Sequence, residues 1–171
     1  GPSALVVPKC PDDGLICGGK VKGLILPNPR PPHDFWESLS ARARTLTWGV
    51  RGDFQLDYIP ADAGTSWLYR ETVTPPCALW IAGSGHIARA VAPLAQRLDF
   101  EVSIFDDRPA LAQPRYFPDG AILRVDYWEK LLQAKLPERP AFGLIVTRGH
   151  QHDALVLRHW VHLPFAFLGM I

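Results

Sequence analysis

Apolar and polar positions along the chain fall into two regimes that meet at Pro75-Pro76. Downstream, Ala78-Leu79-Trp80-Ile81-Ala82 is an unbroken apolar run, as expected of a strand buried on both faces. Ile87, Val91, Leu94, Ala95 and Leu98 then recur at helical spacing and predict a helix over 86–97. The alternation continues with a strand at Glu101–Phe105, a strand at Ala121–Val125 and a helix at Tyr127–Ala134. A strand at Phe142–Thr147, a helix at His150–His162 and a strand at Phe165–Leu168 complete it. Strands alternating with helices build a parallel sheet covered on both faces, so 77–171 reads as a Rossmann-type α/β domain.

Upstream the segments are shorter and of mixed character. Val21–Leu26 predicts a strand, and Asp34–Arg44 a helix that Asp34 can cap. Thr45–Trp48 and Phe54–Ile59 predict strands joined through Gly49–Asp53, with another strand at Ser66–Val73. Four prolines between Pro27 and Pro32 mark a turn or linker. Residues 1–76 therefore read as a small β-rich or mixed N-terminal unit.

Composition narrows the function classes. The apolar share is 47%, enough for a buried core, and the charged share of 20% is not that of a disordered tail. The part up to Pro76 has eight basic and eight acidic residues, and the remainder ten and nine. Neither carries the basic excess of a nucleic-acid binder. No apolar stretch reaches the ~18 residues of a membrane span, and no signal peptide is visible, so no membrane partner is expected. Three cysteines, Cys10, Cys17 and Cys77, cannot all pair with one another. Free thiols fit a reducing compartment, and the expected location is the cytoplasm. The start at Gly1 and the stop at Met170-Ile171 read as cut ends.

Gly83-Ser84-Gly85-His86-Ile87-Ala88 has the form G-x-G-x-x-A between a strand and a helix. The first glycine permits a tight turn, and the second lets backbone approach a phosphate. The small last residue lets helix and strand pack closely. Free amides at the helix start then face an anion. Asp106 and Asp107 end the next strand near the ~20-residue spacing of an acid that takes ribose hydroxyls. Arg108 can accept a 2′-phosphate or pair with a neighbouring acid. His86 can donate to an anion or be a plain surface histidine at a helix start.

Thr147-Arg148-Gly149-His150-Gln151-His152-Asp153 follows another strand and should face the same crevice. His150 and Asp153 can contact ligand or exchange protons near neutral pH, or merely cap a helix. His150, His152 and Asp153 can also be read as metal ligands, a weak signal. His159 and His162 read as structural. In Gly14-Leu15-Ile16-Cys17-Gly18-Gly19 the two glycines leave the thiol side open. Cys17 is then either a ligand for a soft metal or a nucleophile, or a buried cysteine before a glycine turn.

Four of these segments together resemble the xanthine dehydrogenase accessory proteins, the XdhC/CoxI family. They are Leu15-Ile16-Cys17-Gly18-Gly19, Gly83-Ser84-Gly85-His86-Ile87-Ala88, Asp106-Asp107-Arg108-Pro109, and Thr147-Arg148-Gly149-His150 with Asp153. Phe167-Leu168-Gly169-Met170-Ile171 resembles the family's strand before a Gly-Ser-Arg segment. That segment and the family's upstream half do not occur in this chain.

The resemblance implies a maturation factor without catalytic residues of its own. Such a protein binds molybdenum cofactor (molybdopterin), supports its sulfuration and delivers it to a xanthine dehydrogenase-type molybdenum hydroxylase. A cysteine desulfurase and a second copy of the chain, as a homodimer, are the further partners implied. Cofactor contact falls to Cys17, Gly18, Gly19, Gly83, Ser84, Gly85, His86, Ile87, Asp106, Asp107, Arg108, His150 and Asp153. Cys17 is the residue implied for the molybdenum. Two other readings fit the glycine turn: an NAD(P)-dependent oxidoreductase and a nucleotide-sensing module.

Overall fold

The computed structural model describes residues 24–60, 64 and 66–171. The chain divides into two compact units, Gly1–Pro75 and Pro76–Ile171.

In the first unit, helix α1 (Phe35–Ala41) precedes a three-stranded antiparallel sheet. Its strands are β1 (Leu46–Arg51), β2 (Leu56–Tyr58) and β3 (Trp67–Val73), in the order β2-β1-β3. Phe35 is fully buried with Val50 and Leu56, and its ring meets Trp48 edge-on. The expected helix over 34–44 is cut short because Arg42 turns to φ 47°. Asp34 does not cap it through its side chain; its carboxylate instead accepts the Ser38 hydroxyl at 3.1 Å.

The expected link at Gly49–Asp53 also moves. Gly49 and Val50 are buried within β1, and an added Cβ at Gly49 would stand 2.4 Å from the Tyr69 carbonyl. Glycine is thus a packing requirement of the sheet there, and the turn falls at Arg51–Gln55. There the Arg51 amide donates to the Gln55 carbonyl at 2.9 Å. Of the strand expected over Val21–Leu26, residues 24–26 are irregular and the rest lies outside the described residues.

The second unit is a five-stranded sheet, every neighbouring pair parallel. The strands are β4 (Cys77–Ala82), β5 (Phe100–Asp106), β6 (Ile122–Val125), β7 (Ala141–Ile145) and β8 (Phe167–Met170). Their order is β6-β5-β4-β7-β8, so successive strands run outward from β4 one way and then the other. The apolar run of β4 is explained by its central place. Ala78, Trp80 and Ala82 enter one core, and Ile81 the other.

Helix α2 (His86–Arg97) covers the Ile81 face through Ala88, Ala92 and Ala95, small residues that allow close approach. Helix α3 (Trp128–Leu131) and helix α4 (His150–Trp160) cover the other with Trp128, Leu131, Val156 and Trp160. Trp80, Phe105, Trp160 and Phe165 form a continuous aromatic cluster there. This is the Rossmann-type architecture expected.

Two elements differ from expectation. The helix over 127–134 is a single α-helical turn, α3. The final strand starts two residues late, at Phe167, after the Ala166 amide donates to Ala141 O at 2.8 Å. The β5–β6 connection holds only a 3-10 turn at Pro114–Tyr116, where Arg89 stacks 3.8 Å over the Tyr116 ring. Among the described residues no helix is long and apolar enough to cross a membrane.

Candidate functional site

Strand order reverses between β4 and β7, and ligands of open α/β sheets settle outside the carboxyl ends of strands at such a point. The connection leaving β4 is Gly83-Ser84-Gly85. Gly83 has φ +115°, and an added Cβ would lie 2.2 Å from the Val146 carbonyl oxygen. Only glycine lets this turn press against the start of the β7–α4 connection. Gly85 is different. Its φ is −73°, open to any residue, and nothing stands within 4 Å of an added Cβ. Neither backbone nor packing requires glycine at that position, and its bare Cα leaves open space before the helix.

That space lies at the N-terminus of α2. The helix has no side-chain cap and no acidic residue in its first turn. The Gly85, His86 and Ile87 amides meet no acceptor among the described residues. Free amides with the positive end of a helix dipole suit an anion. His86 and Ile87 are exposed beside them.

Ser84 and Asp106 have another task. Both are fully buried. One Asp106 oxygen accepts the Ser84 amide and the Ser84 hydroxyl, each at 2.7 Å. Arg108 donates its amide and Nε to the other oxygen, at 2.8 Å each, and its Nη2 to the first at 2.7 Å. Burial alone would raise the Asp106 pKa, but the donors from Arg108 and Ser84 outweigh it and hold the carboxyl below its ordinary value. The same pairing raises the Arg108 guanidinium above its own. Of the two readings of Arg108, the structure shows pairing with a neighbouring acid. Asp106 therefore braces the glycine turn from within, and Asp107 is the acid that stands partly open.

The β7–α4 connection is braced in a similar way. Asp153 Oδ1 accepts the Thr147 hydroxyl at 2.5 Å and the Thr147 amide at 3.1 Å. Gly149, extended and with no neighbour within 4 Å of an added Cβ, opens α4 as Gly85 opens α2. His150 is exposed and, with Thr147, Arg148, Asp153 and Leu157, lines a cleft of about 420 Å³. Among the described residues no three His, Cys, Asp or Glu groups converge as a metal site, which removes the reading of His150, His152 and Asp153 as one. His159 is exposed, with Nδ1 2.9 Å from the Leu155 carbonyl, and His162 is exposed too. Cys17, Gly18 and Gly19 lie outside the described residues.

Sequence reasoning did not single out Arg89, which donates Nε to the Ser84 carbonyl at 3.1 Å and so steadies the turn from within α2. Its place three residues after His86 was the available signal. Nor did it pair Asp107 with Arg148 and His152, whose nitrogens lie 3.7 and 3.9 Å from Asp107 Oδ2. That contact depends on the sheet order and has no local signature. Trp128, 5% exposed, sits with its ring 6.2 Å from His152, and its indole N–H has no partner among the described residues. A buried donor left unmet costs about 1–3 kcal/mol.

Fold and turn together define a Rossmann-type domain with an open, anion-suited glycine turn at its switch point. The family model for the XdhC Rossmann domain matches residues 79–171, and the chain belongs to that family. Among solved structures the chain is similar to a xanthine dehydrogenase from Bacillus halodurans. The two are 18% identical with a TM-score of 0.64, over 80% of this chain and 50% of that one. Likeness at that identity is a likeness of fold, and this chain spans half the length of that relative. No curated protein matches the chain in sequence.

Proposed function

We propose that the protein binds molybdenum cofactor as cargo, supports its sulfuration and hands it to a xanthine dehydrogenase-type molybdenum hydroxylase. The observation that carries this reading is the open space at Gly85. A pterin phosphate, or the pyrophosphate of a nucleotide form, would sit over the amides of Gly85, His86 and Ile87, where no atom stands within 4 Å of a Cβ added at Gly85. The cleft of about 420 Å³ beside His150 is within the range that holds a small cofactor. Membership of the XdhC Rossmann family supports the same reading.

The roles divide by chemistry. The glycine turn takes the phosphate end. Asp106, Ser84 and Arg108 hold the turn in place, and Asp153 does so for the β7–α4 connection. His86, Ile87, Asp107 and His150 border the bound group. Cys17, with Gly18 and Gly19, is assigned to the molybdenum end, since a thiolate suits a soft metal centre. A cysteine desulfurase, the client hydroxylase and a second copy of the chain are the proposed partners, and the cytoplasm the proposed location.

The commitment of Asp106 to the turn bears on the oxidoreductase reading. An acid at that spacing serves a dinucleotide by taking its ribose hydroxyls, but both oxygens of Asp106 are occupied by Ser84 and Arg108. Equilibrium binding tests the proposal, with cofactor released anaerobically from a molybdenum hydroxylase set against NAD(P). Cofactor should bind well above NAD(P), and Cys17→Ser should lower its affinity about tenfold or more while leaving inorganic pyrophosphate binding unchanged. NAD(P) binding without affinity for the cofactor would refute the proposal.

A further inference from the structure

Asp107 pairs with two residues distant in sequence, Arg148 and His152. Asp107 follows the end of β5, and Arg148 and His152 belong to the connection after β7 and the first turn of α4. Strand β4 lies between β5 and β7, so these contacts cross the carboxyl end of β4, where the glycine turn begins. With strands about 4.8 Å apart the span is about 10 Å, and a side chain bridging it stands over the crevice.

The contacts are also loose. Arg148 Nη2 is 3.7 Å from Asp107 Oδ2 and His152 Nε2 is 3.9 Å from it, both beyond hydrogen-bond distance. The Arg148 side chain is 53% exposed. By contrast, Arg108 makes three short hydrogen bonds to Asp106 alongside. Trp128, 5% exposed, packs with its ring 6.2 Å from that of His152.

We propose that Arg148 is an anion-binding residue of the crevice, kept in place over the glycine turn by Asp107 until a phosphate displaces that carboxylate. This rests on the reading of the glycine turn as the phosphate site. A planar guanidinium carrying five donors is underused at 3.7 Å from a carboxylate, and it gains two-point hydrogen bonds on a phosphate. Asp107 and the phosphate thus compete for one cation. Asp107 sets the affinity from the outside, while Asp106, one residue earlier, sets the shape of the turn.

A double-mutant cycle on the full chain tests this with two probes, inorganic pyrophosphate and isolated molybdenum cofactor. Arg148→Ala should weaken binding of both about tenfold, and Asp107→Asn should strengthen it several-fold. In the double variant the gain from Asp107→Asn should fall below about twofold, because the cation it released is gone. Weaker binding in Asp107→Asn would make the carboxylate a ligand contact and overturn the proposal. So would an undiminished gain in the double variant, the mark of simple charge removal. If the cycle holds for pyrophosphate while the cofactor does not bind, Arg148 keeps its role and the cargo reading falls. If the cofactor binds and the cycle shows no coupling, the reverse holds. If neither probe binds, both fall.

Discussion

Gly83→Ala is expected to destabilise the Rossmann unit by about 4 kcal/mol. Two costs add at this position. A side chain at φ +115° lies outside the conformations open to L residues, at about 1–3 kcal/mol. The new Cβ would also sit 2.2 Å from the Val146 carbonyl oxygen and 2.8 Å from its carbon. Both are backbone atoms held by the bond from the Val146 amide to the Ala82 carbonyl at 2.8 Å. Relief requires β4 and β7 to part, and forced backbone shifts cost about 1–3 kcal/mol more. A total of about 4 kcal/mol is a large share of the 5–15 kcal/mol that a domain ordinarily has. Urea unfolding followed by tryptophan fluorescence should show a lower midpoint, or no folded baseline. A midpoint near wild type would mean that the turn does not have this geometry.

Asp106→Asn should cost about 3–5 kcal/mol, because it leaves the Arg108 charge and the Ser84 donors facing an amide that cannot accept from all of them. The deficit should depend on pH with a definite sign. The Asp106 carboxyl titrates below its ordinary value in the folded protein, so its contribution is fully present above about pH 4. It is lost as pH falls through the depressed value. Wild type and variant should therefore differ most in melting temperature near neutral pH and converge in acid. Equal differences at pH 7 and pH 3 would contradict the assignment.

The parts of the fold legible in the sequence are those fixed by local chemistry. β4 announces itself as an apolar run because it is central and covered on both faces. The glycine turn is legible because Gly83 meets a backbone demand that few residues can meet, and Gly85 recurs at the spacing of a phosphate-binding turn. What the sequence concealed depends on distant partners. Gly49 has the look of a turn residue, yet it lies inside β1 because Tyr69 and Trp67 leave no room for a Cβ. Tyr127–Ala134 has helical composition, but one turn suffices to place Trp128 and Leu131 in the core. Asp106 sits where a ribose-binding acid would, and only the structure shows its carboxylate turned inward to Ser84. The Asp107–Arg148 contact arises from strand order alone.

Gly85→Val tests the central claim most directly, because it separates folding from binding at one residue. The backbone at Gly85 is extended and the space around it empty, so the melting temperature should stay within the few degrees that about 1 kcal/mol at an N-cap represents. The added methyls would occupy the space over the free amides of α2. Equilibrium binding of isolated molybdenum cofactor to wild type and to Gly85→Val is the measurement. Binding to wild type, weakened about a hundredfold in a variant that melts normally, is the result predicted. Equal affinity in the two proteins would place the cofactor away from the glycine turn and contradict the account.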